Sequence, residues 1–140
     1  MTQSLLNKKA GNVTAKGMSG KMHTLFDSKA PVLIVFIYNP DCEHCEEETP
    51  LLIDFYNKWK NNGVDVFSIA ANTAEPEWKG FRSRFNLPWT DVFDVTNASW
   101  YPKYFVDVTP ELYVLDKNRK FFAKNLKVSQ IETILDRINK

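Results

Sequence analysis

The chain contains few of the residues from which metal sites and disulfide frameworks are built. Its 140 residues include two cysteines and two histidines. Two cysteines cannot form a framework of several disulfides, and a zinc site normally has four ligands. Only His23 and His44 could add nitrogen ligands to the two thiols. We therefore expect neither a bound metal nor a cofactor, with zinc binding as the alternative.

Charge and hydropathy exclude further classes of protein. The formal net charge of +1 gives no electrostatic reason to bind nucleic acid or an anionic membrane surface. The longest apolar run is too short to span a bilayer, and residues 1–12 lack the apolar core of a signal peptide. The compartment stays open, because a mature or excised domain would look the same. A hydrophobic fraction of 44% predicts one globular domain.

Both cysteines occur in one short segment, residues 39–45, with the sequence NPDCEHC. The apolar run before it, Val32–Tyr38, predicts a strand that is covered on both faces. A helix-compatible pattern follows, so the strand would deliver the cysteines to the start of a helix. Unpaired N–H groups and the positive end of the helix dipole would favour a thiolate at Cys42. Cys45 lies about one helical turn later, where it can form a disulfide with Cys42.

The remaining patterns predict alternating strands and helices around this segment. The predicted elements are an edge hairpin within 12–24, a helix over 43–61, a strand over 64–70, a helix opened by Pro76, a short strand over 90–95, a short helix over 97–105, a hairpin over 111–125 and a last helix. Pro50 should kink the first helix, and Gly63 should adopt a left-handed conformation after it. This order predicts a mixed sheet with helices on both faces.

Apolar stripes mark the buried faces of the first and last helices. The stripes consist of Leu51, Leu52, Phe55 and Trp59 in the first helix, and of Ile131, Ile134, Leu135 and Ile138 in the last. Ser129-Gln130-Ile131-Glu132 fits a capping box at the start of the last helix. We expect both stripes to pack against the sheet.

The element order, with Cys42-Glu43-His44-Cys45 at the first strand–helix junction, resembles the thioredoxin superfamily. More narrowly, the chain looks like the TlpA/ResA-like thiol–disulfide proteins attached to the outer face of bacterial membranes, over residues 12–138. Glu48 matches an acidic residue typical of that group, and Pro50 matches the helix-kinking proline of thioredoxins. Val108-Thr109-Pro110 resembles the motif in which proline is cis and faces the dithiol. The NPDC form resembles thioredoxin-like domains common in Bacteroidetes.

This resemblance implies a particular fold and domain organisation. We expect a thioredoxin-like three-layer α/β/α fold whose mixed central sheet carries an N-terminal edge hairpin. The domain would span residues 12–140, after a disordered or frayed lead-in at residues 1–11. The chain would be a monomer, in the periplasm or another extracytoplasmic compartment.

The resemblance also implies an activity, that of a thiol–disulfide oxidoreductase. Cys42 would attack a substrate disulfide and Cys45 would resolve the mixed disulfide, which leaves a Cys42–Cys45 redox-active disulfide. Thr109 and Pro110 would bind an extended segment of the substrate. The expected partners are a disulfide-containing protein substrate and a thiol protein that restores the redox state.

Two residues depart from the thioredoxin pattern. Asp41 stands where thioredoxins usually have Trp, and Phe36 stands where they carry a buried Asp. That Asp assists proton transfer from the second thiol, so another group must do so here. Glu48 is the candidate, because it lies one turn beyond Cys45 on the predicted helix.

Opposing charges around the dithiol bear on the direction of the reaction. A cationic His44 would favour a Cys42 thiolate and a more oxidising disulfide, whereas the surrounding carboxylates, Glu43 among them, disfavour the thiolate. The reduction potentials of strong dithiol oxidants and of thioredoxin differ by about 150 mV, or about 7 kcal/mol. One imidazole among several carboxylates should not raise the reduction potential of the disulfide to that of the strong oxidants. We therefore expect a reductase or general oxidoreductase.

Two other classes of protein remain as alternatives. A thiol peroxidase shares this fold, but it would require Thr three residues before its reactive cysteine, and residue 39 is Asn. A non-enzymatic module that binds metal or protein is the other alternative.

Overall fold

The structure, a computed structural model, describes residues 8–94 and 109–138. Within these ranges the strands are β1 (Thr14–Lys16), β2 (Met22–Thr24), β3 (Val32–Tyr38), β4 (Val64–Ala70), β5 (Thr90–Phe93), β6 (Glu111–Leu115) and β7 (Phe121–Ala123). The helices there are α1 (Glu43–Trp59), α2 (Glu75–Phe85) and α3 (Ile131–Ile138). The short helix predicted over residues 97–105 lies outside the described residues.

The described strands form a single mixed sheet in the order β2-β1-β5-β4-β3-β6-β7. β3, β4 and β5 are parallel neighbours, and β6 pairs with β3 in the antiparallel direction. β1 and β2 form the predicted antiparallel hairpin, with β2 at the edge and β1 joined to β5 through Lys16 and Phe93. The mixed sheet and its N-terminal edge hairpin are thereby confirmed.

Every residue of β3 is buried, as the apolar run predicts. The even-numbered residues from 32 to 38 join a cluster with apolar side chains of all three described helices. The odd-numbered residues from 33 to 37 join a second cluster, which contains Val13 and Leu25 from the segment before β3. α1 and α2 share one face because the β3–α1–β4 and β4–α2–β5 crossovers have the same hand and advance in one direction.

The buried face of α1 differs at one position from the predicted stripe. Leu52 and Phe55 are buried and Trp59 is partly buried, which confirms that part of the prediction. Leu51 is 49% exposed, so its place in the stripe was wrong. Successive helical residues are rotated by about 100°, and Leu51 falls on the solvent side of Leu52. Pro50 lies inside α1.

The turns and caps agree with the sequence except at α3. Gly63 has a φ of +84°, the left-handed conformation predicted between α1 and β4. The predicted cap at Ser129 was wrong, because a short 3₁₀ turn at residues 128–130 precedes α3. Lys127 N–H donates to Gln130 Oε1 at 2.8 Å, so this cap forms two residues earlier. Ile131 and Leu135 are fully buried, as predicted.

Part of the predicted lead-in contacts the sheet. Lys9 forms a bridge with Lys120, and Ala10 N–H donates to the carbonyl oxygen of Arg119 at 2.8 Å. Phe121 N–H donates to the carbonyl oxygen of Lys8 at 2.9 Å. Residues 8–10 therefore lie beside β7 and satisfy backbone groups there, and residues 1–7 lie outside the described ranges.

Candidate active site

The two cysteines lie where β3 ends and α1 begins, as predicted. Asp41 N–H donates to Asn39 Oδ1 at 2.8 Å, and Cys42 N–H donates to the Asn39 carbonyl oxygen at 3.0 Å. These bonds close a turn that places Cys42 directly before the first helical residue. Cys42 Sγ accepts a hydrogen bond from Cys45 N–H at 3.3 Å. The first thiol thereby occupies the capping position of α1, where its sulfur satisfies one of the N–H groups that lack a partner within the helix.

The two thiols differ in their exposure. Both cysteines are free, with Cys42 partly exposed and Cys45 fully buried. Burial raises the pKa of the Cys45 thiol to about 12, and its hydrogen bond with Cys42 adds to this effect. The Asn39 N–H lies 3.5 Å from Cys45 Sγ, and its hydrogen bond lowers the pKa of that thiol. Cys45 is therefore protonated at neutral pH and needs to lose that proton before it can act as a nucleophile.

The loop that precedes β6 faces the dithiol. Its Thr109–Pro110 peptide bond is cis, as the resemblance implies. The Cys42 thiol donates to the carbonyl oxygen of Thr109 at 3.4 Å. A hydrogen bond from the Thr109 side chain lowers the pKa of Cys45, against the larger effect of burial. Thr109 therefore contacts both thiols, and Val108 of the same motif lies outside the described residues.

Glu48 has a specific partner of its own. Its side chain is partly buried, and Oε1 accepts a hydrogen bond from Val128 N–H at 2.9 Å. This bond joins α1 to the turn that precedes α3. The role of Glu48 as proton acceptor for Cys45 stays a prediction, and the carboxylate has a positioning contact as well.

The other charged residues of the motif are exposed to solvent. His44 Nδ1 lies 3.8 Å from Glu47 Oε2, and these side chains are 80% and 62% exposed. Glu43 is also exposed, whereas Glu46 forms an ion pair with Arg84 at 2.7 Å. Water and salt screen charges in such positions, so the influence of His44 and Glu43 on the dithiol stays a prediction.

A second polar cluster lies on the same face of the sheet, and the sequence did not reveal it. The fully buried Asp91 carboxylate accepts hydrogen bonds from the side chains of Tyr38 (2.9 Å), Ser68 (2.6 Å), Trp78 (2.7 Å) and Arg82 (2.9 Å). Burial raises the pKa of Asp91, and the bonds from Ser68, Arg82 and Trp78 oppose this. The spacing of Trp78 and Arg82, four residues apart on α2, is the one local signal for this cluster.

A family model places the chain among known proteins. The model of the AhpC/TSA family matches residues 6–123. The chain belongs to the AhpC/TSA family. The matched residues contain the dithiol, the cis-proline loop and the sheet that holds them.

Relatives and solved structures similar to this chain include several named for thiol–disulfide chemistry. The thiol-disulfide oxidoreductase ResA of Bacillus cereus is 26% identical over 119 residues, which are 85% of this chain and 68% of the relative. A crystallised domain of a "possible thiol-disulfide isomerase" from Cytophaga hutchinsonii is 30% identical, with a TM-score of 0.88. That comparison covers 99% of this chain and 96% of the solved domain.

The relatives of this chain also include a peroxiredoxin. The chloroplastic peroxiredoxin Q of Sedum lineare is 30% identical over 112 residues, which are 75% of this chain and 60% of the relative. The chain spans about two thirds of the length of the ResA relative. Among the described residues, none of the helices combines the length and the apolar character required to cross a membrane.

Proposed function

We propose that this protein is a thiol–disulfide oxidoreductase in which Cys42 attacks and Cys45 resolves. The observation that supports it best is the asymmetry of the two free thiols. Cys42 is partly exposed at the start of α1, beside the cis-proline loop, whereas Cys45 is buried behind it. A substrate disulfide can therefore reach Cys42 first, and Cys45 is held one helical turn away for the second step.

The reaction consists of two thiol–disulfide exchanges. The Cys42 thiolate attacks one sulfur of the substrate disulfide, forms a mixed disulfide and releases the first substrate thiolate. The Cys45 thiolate then attacks Cys42 Sγ, forms the Cys42–Cys45 bond and releases the second substrate thiolate. The two protons of the enzyme dithiol end on the two substrate thiols. The substrate is reduced by two electrons and the protein is oxidised by two.

The substrate is a disulfide in an extended protein segment. Thr109 lies against Cys42, with its carbonyl oxygen 3.4 Å from the sulfur, and Pro110 follows it in the same loop. An extended substrate segment that lies alongside this loop would present its disulfide to Cys42. Backbone groups of Thr109 would form hydrogen bonds with that segment. A separate thiol protein reduces the Cys42–Cys45 disulfide and completes the cycle.

The working direction is reduction, in an extracytoplasmic compartment. We infer this direction from Asp41, Glu43 and Glu47, exposed carboxylates close to the dithiol in the chain, because negative charge near a thiol disfavours its thiolate. A dithiol of that kind is a reductant. The compartment is inferred from the resemblance to TlpA/ResA-like proteins, and the protein acts there as a monomer.

A peroxidase is the second candidate, supported by the peroxiredoxin relative. The position that would carry the peroxidase threonine is Asn39. Its side-chain amide donates to the carbonyl oxygens of Ala71 and Asn72, at 3.1 and 3.2 Å. This amide is directed to the loop after β4, so we favour the oxidoreductase.

Trapping with single-cysteine variants tests the proposal. Reduced Cys45→Ser should accumulate a mixed disulfide with a disulfide-containing protein such as insulin, whereas Cys42→Ser should form none. Wild type should reduce insulin and show no peroxide turnover with a thiol reductant. Equal trapping by both variants, or peroxide turnover faster than insulin reduction, would overturn the proposal.

A further inference from the structure

The side chain of Asn39 joins two loops at the dithiol end of the sheet. Its amide nitrogen Nδ2 donates to the carbonyl oxygens of Ala71 and Asn72, which follow β4. Its oxygen Oδ1 accepts the N–H of Asp41, within the turn before α1. Three hydrogen bonds therefore hold one side chain between the β3–α1 turn and the β4–α2 loop. These partners require a side chain that both donates and accepts hydrogen bonds. An amide does both, whereas an ionised carboxylate only accepts and an alkyl group does neither.

The backbone of Asn39 contacts both cysteines. Its carbonyl oxygen accepts Cys42 N–H at 3.0 Å, which places Cys42 at the start of α1. Its N–H lies 3.5 Å from Cys45 Sγ and donates to it. Any rotation of the Asn39 peptide groups would change the surroundings of both sulfurs. The side-chain bonds to Ala71 and Asn72 oppose such a rotation, together with Ala71 N–H, which donates to the Tyr38 carbonyl oxygen of the same peptide group at 2.7 Å.

The geometry points to Asn39 as a positioning residue for the resolving step, in which its anchored side chain holds the backbone N–H against Cys45 Sγ and so stabilises the Cys45 thiolate. This inference rests on the proposed function and adds to it the group that helps the buried thiol to react. The side chain acts through its own backbone and has no part in bond making.

The resolving step needs such help because Cys45 is fully buried. Burial disfavours its thiolate, and β3 contributes the apolar Phe36 to the cluster that surrounds it. Glu48 is engaged with Val128 N–H, on the side of α1 that faces the α3 turn. An N–H donor fixed on the sulfur stabilises the thiolate without bringing a further charge into the core. The Cys45 thiolate then displaces the substrate thiolate from Cys42, which takes up the proton that Cys45 lost.

The test separates the two exchanges in time. Reduced protein is mixed in a stopped-flow instrument with an aromatic disulfide that releases a coloured thiolate, between about pH 6 and pH 9. The first release reports attack by Cys42, and the second reports resolution by Cys45. Asn39→Ala should slow the second release about 5- to 10-fold, and more than it changes the first, because a hydrogen bond to a charged sulfur is weakened.

Two further variants keep the test decisive. Asn39→Asp keeps the shape and the acceptor for Asp41 N–H but loses both Nδ2 donors, so it should slow the second release even if Asn39→Ala does not fold. Asn12→Ala is the matched control, because Asn12 Oδ1 accepts Val13 N–H and Phe26 N–H, both at 3.0 Å, in the N-terminal segment. Its two rates should equal those of wild type.

The possible results distinguish the inference from the function on which it rests. A wild-type protein that gives no second release would overturn the proposed function and this inference with it. A normal wild-type protein combined with an unchanged second release in folded Asn39→Ala and Asn39→Asp would overturn the inference alone. A slower second release in Asn12→Ala as well would do the same, since the effect would then follow from general loosening of the fold.

Discussion

The dithiol and the Asp91 cluster are two buried polar sites on the same face of the sheet, and they differ in how completely they are satisfied. Asp91 accepts bonds from four side chains, one of them the cation of Arg82. Cys45 Sγ is a weak acceptor that has one backbone donor, Asn39 N–H, and the Thr109 side chain. A buried polar group whose hydrogen-bonding positions are all occupied is held in one arrangement. A buried thiol with weak partners can still change its proton and its covalent partner.

β3 connects the two sites directly. Tyr38, its last residue, donates its hydroxyl to Asp91, and the next residue, Asn39, contacts both cysteines. The cluster thereby fixes the end of the strand from which the reactive turn begins. We infer that one site supplies rigidity and the other supplies reactivity, and the following predictions test that division.

The largest effect is expected at Cys42. Cys42→Ser should lower the rate of insulin reduction at least 1,000-fold, because no other exposed thiol exists to begin the exchange. Its free energy of unfolding, measured for the reduced protein in urea, should stay within about 1 kcal/mol of wild type. A Cys42→Ser variant with more than a few per cent of wild-type activity would contradict the assignment.

The next largest effect concerns stability at Asp91. Asp91→Ala should lower the free energy of unfolding by about 3–5 kcal/mol, because it leaves the Arg82 guanidinium and three other buried donors without their acceptor. Urea unfolding followed by circular dichroism measures it. Glu75→Gln is the control, since it removes an exposed carboxylate that pairs with Lys79 at 2.8 Å, and its unfolding midpoint should barely move. A loss below about 1 kcal/mol in Asp91→Ala would mean that the cluster does not provide rigidity.

The third prediction is the pH dependence of the resolving step. Burial, the main cause that raises the pKa of Cys45 to about 12 in the reduced protein, persists in the mixed disulfide, so the fraction of Cys45 thiolate rises about tenfold for each pH unit below its pKa. The rate of the second thiolate release should therefore keep rising between about pH 6 and pH 9. A plateau near neutral pH would show that Cys45 loses its proton far more easily than its burial allows.

The same raised pKa affects stability with a definite sign. The unfolded chain would release the Cys45 proton near an ordinary thiol pKa, and the folded chain only near about 12. The folded state therefore binds more protons in that window, and the stability of the reduced protein falls as the pH rises through it. Cys45→Ser should reduce this alkaline decline, as urea titrations at neutral and alkaline pH would reveal.

The smallest effect is expected at Glu48. Glu48→Gln keeps an acceptor for Val128 N–H, so the free energy of unfolding should change by less than about 1 kcal/mol. If its carboxylate also takes the Cys45 proton, the second release slows a few-fold and the first does not. Glu46→Gln, which loses an exposed ion pair with Arg84, provides the comparison. Equal second rates in Glu48→Gln and wild type would restrict Glu48 to positioning the α3 turn.

Several features of the site could be read from the sequence because they depend on near neighbours in the chain. The buried run of β3, the cysteines at the start of α1 and the left-handed Gly63 follow from local pattern and backbone sterics. The cis bond before Pro110 came from the family resemblance and not from spacing. Leu51 shows the limit of a local pattern, since an apolar residue beside a stripe can face solvent.

The tertiary structure decided the contacts between residues that are distant in the chain. Asn39 and Ala71 are 32 residues apart, Tyr38 and Asp91 are 53 apart, and Glu48 and Val128 are 80 apart. Composition and periodicity report which face of an element is apolar, but they do not report which polar partner a buried group will find. That choice depends on strand order and on the register between neighbouring strands. The sequence by itself therefore determined the reactive dithiol and its place in the fold, and the packing of the sheet decided which groups hold it.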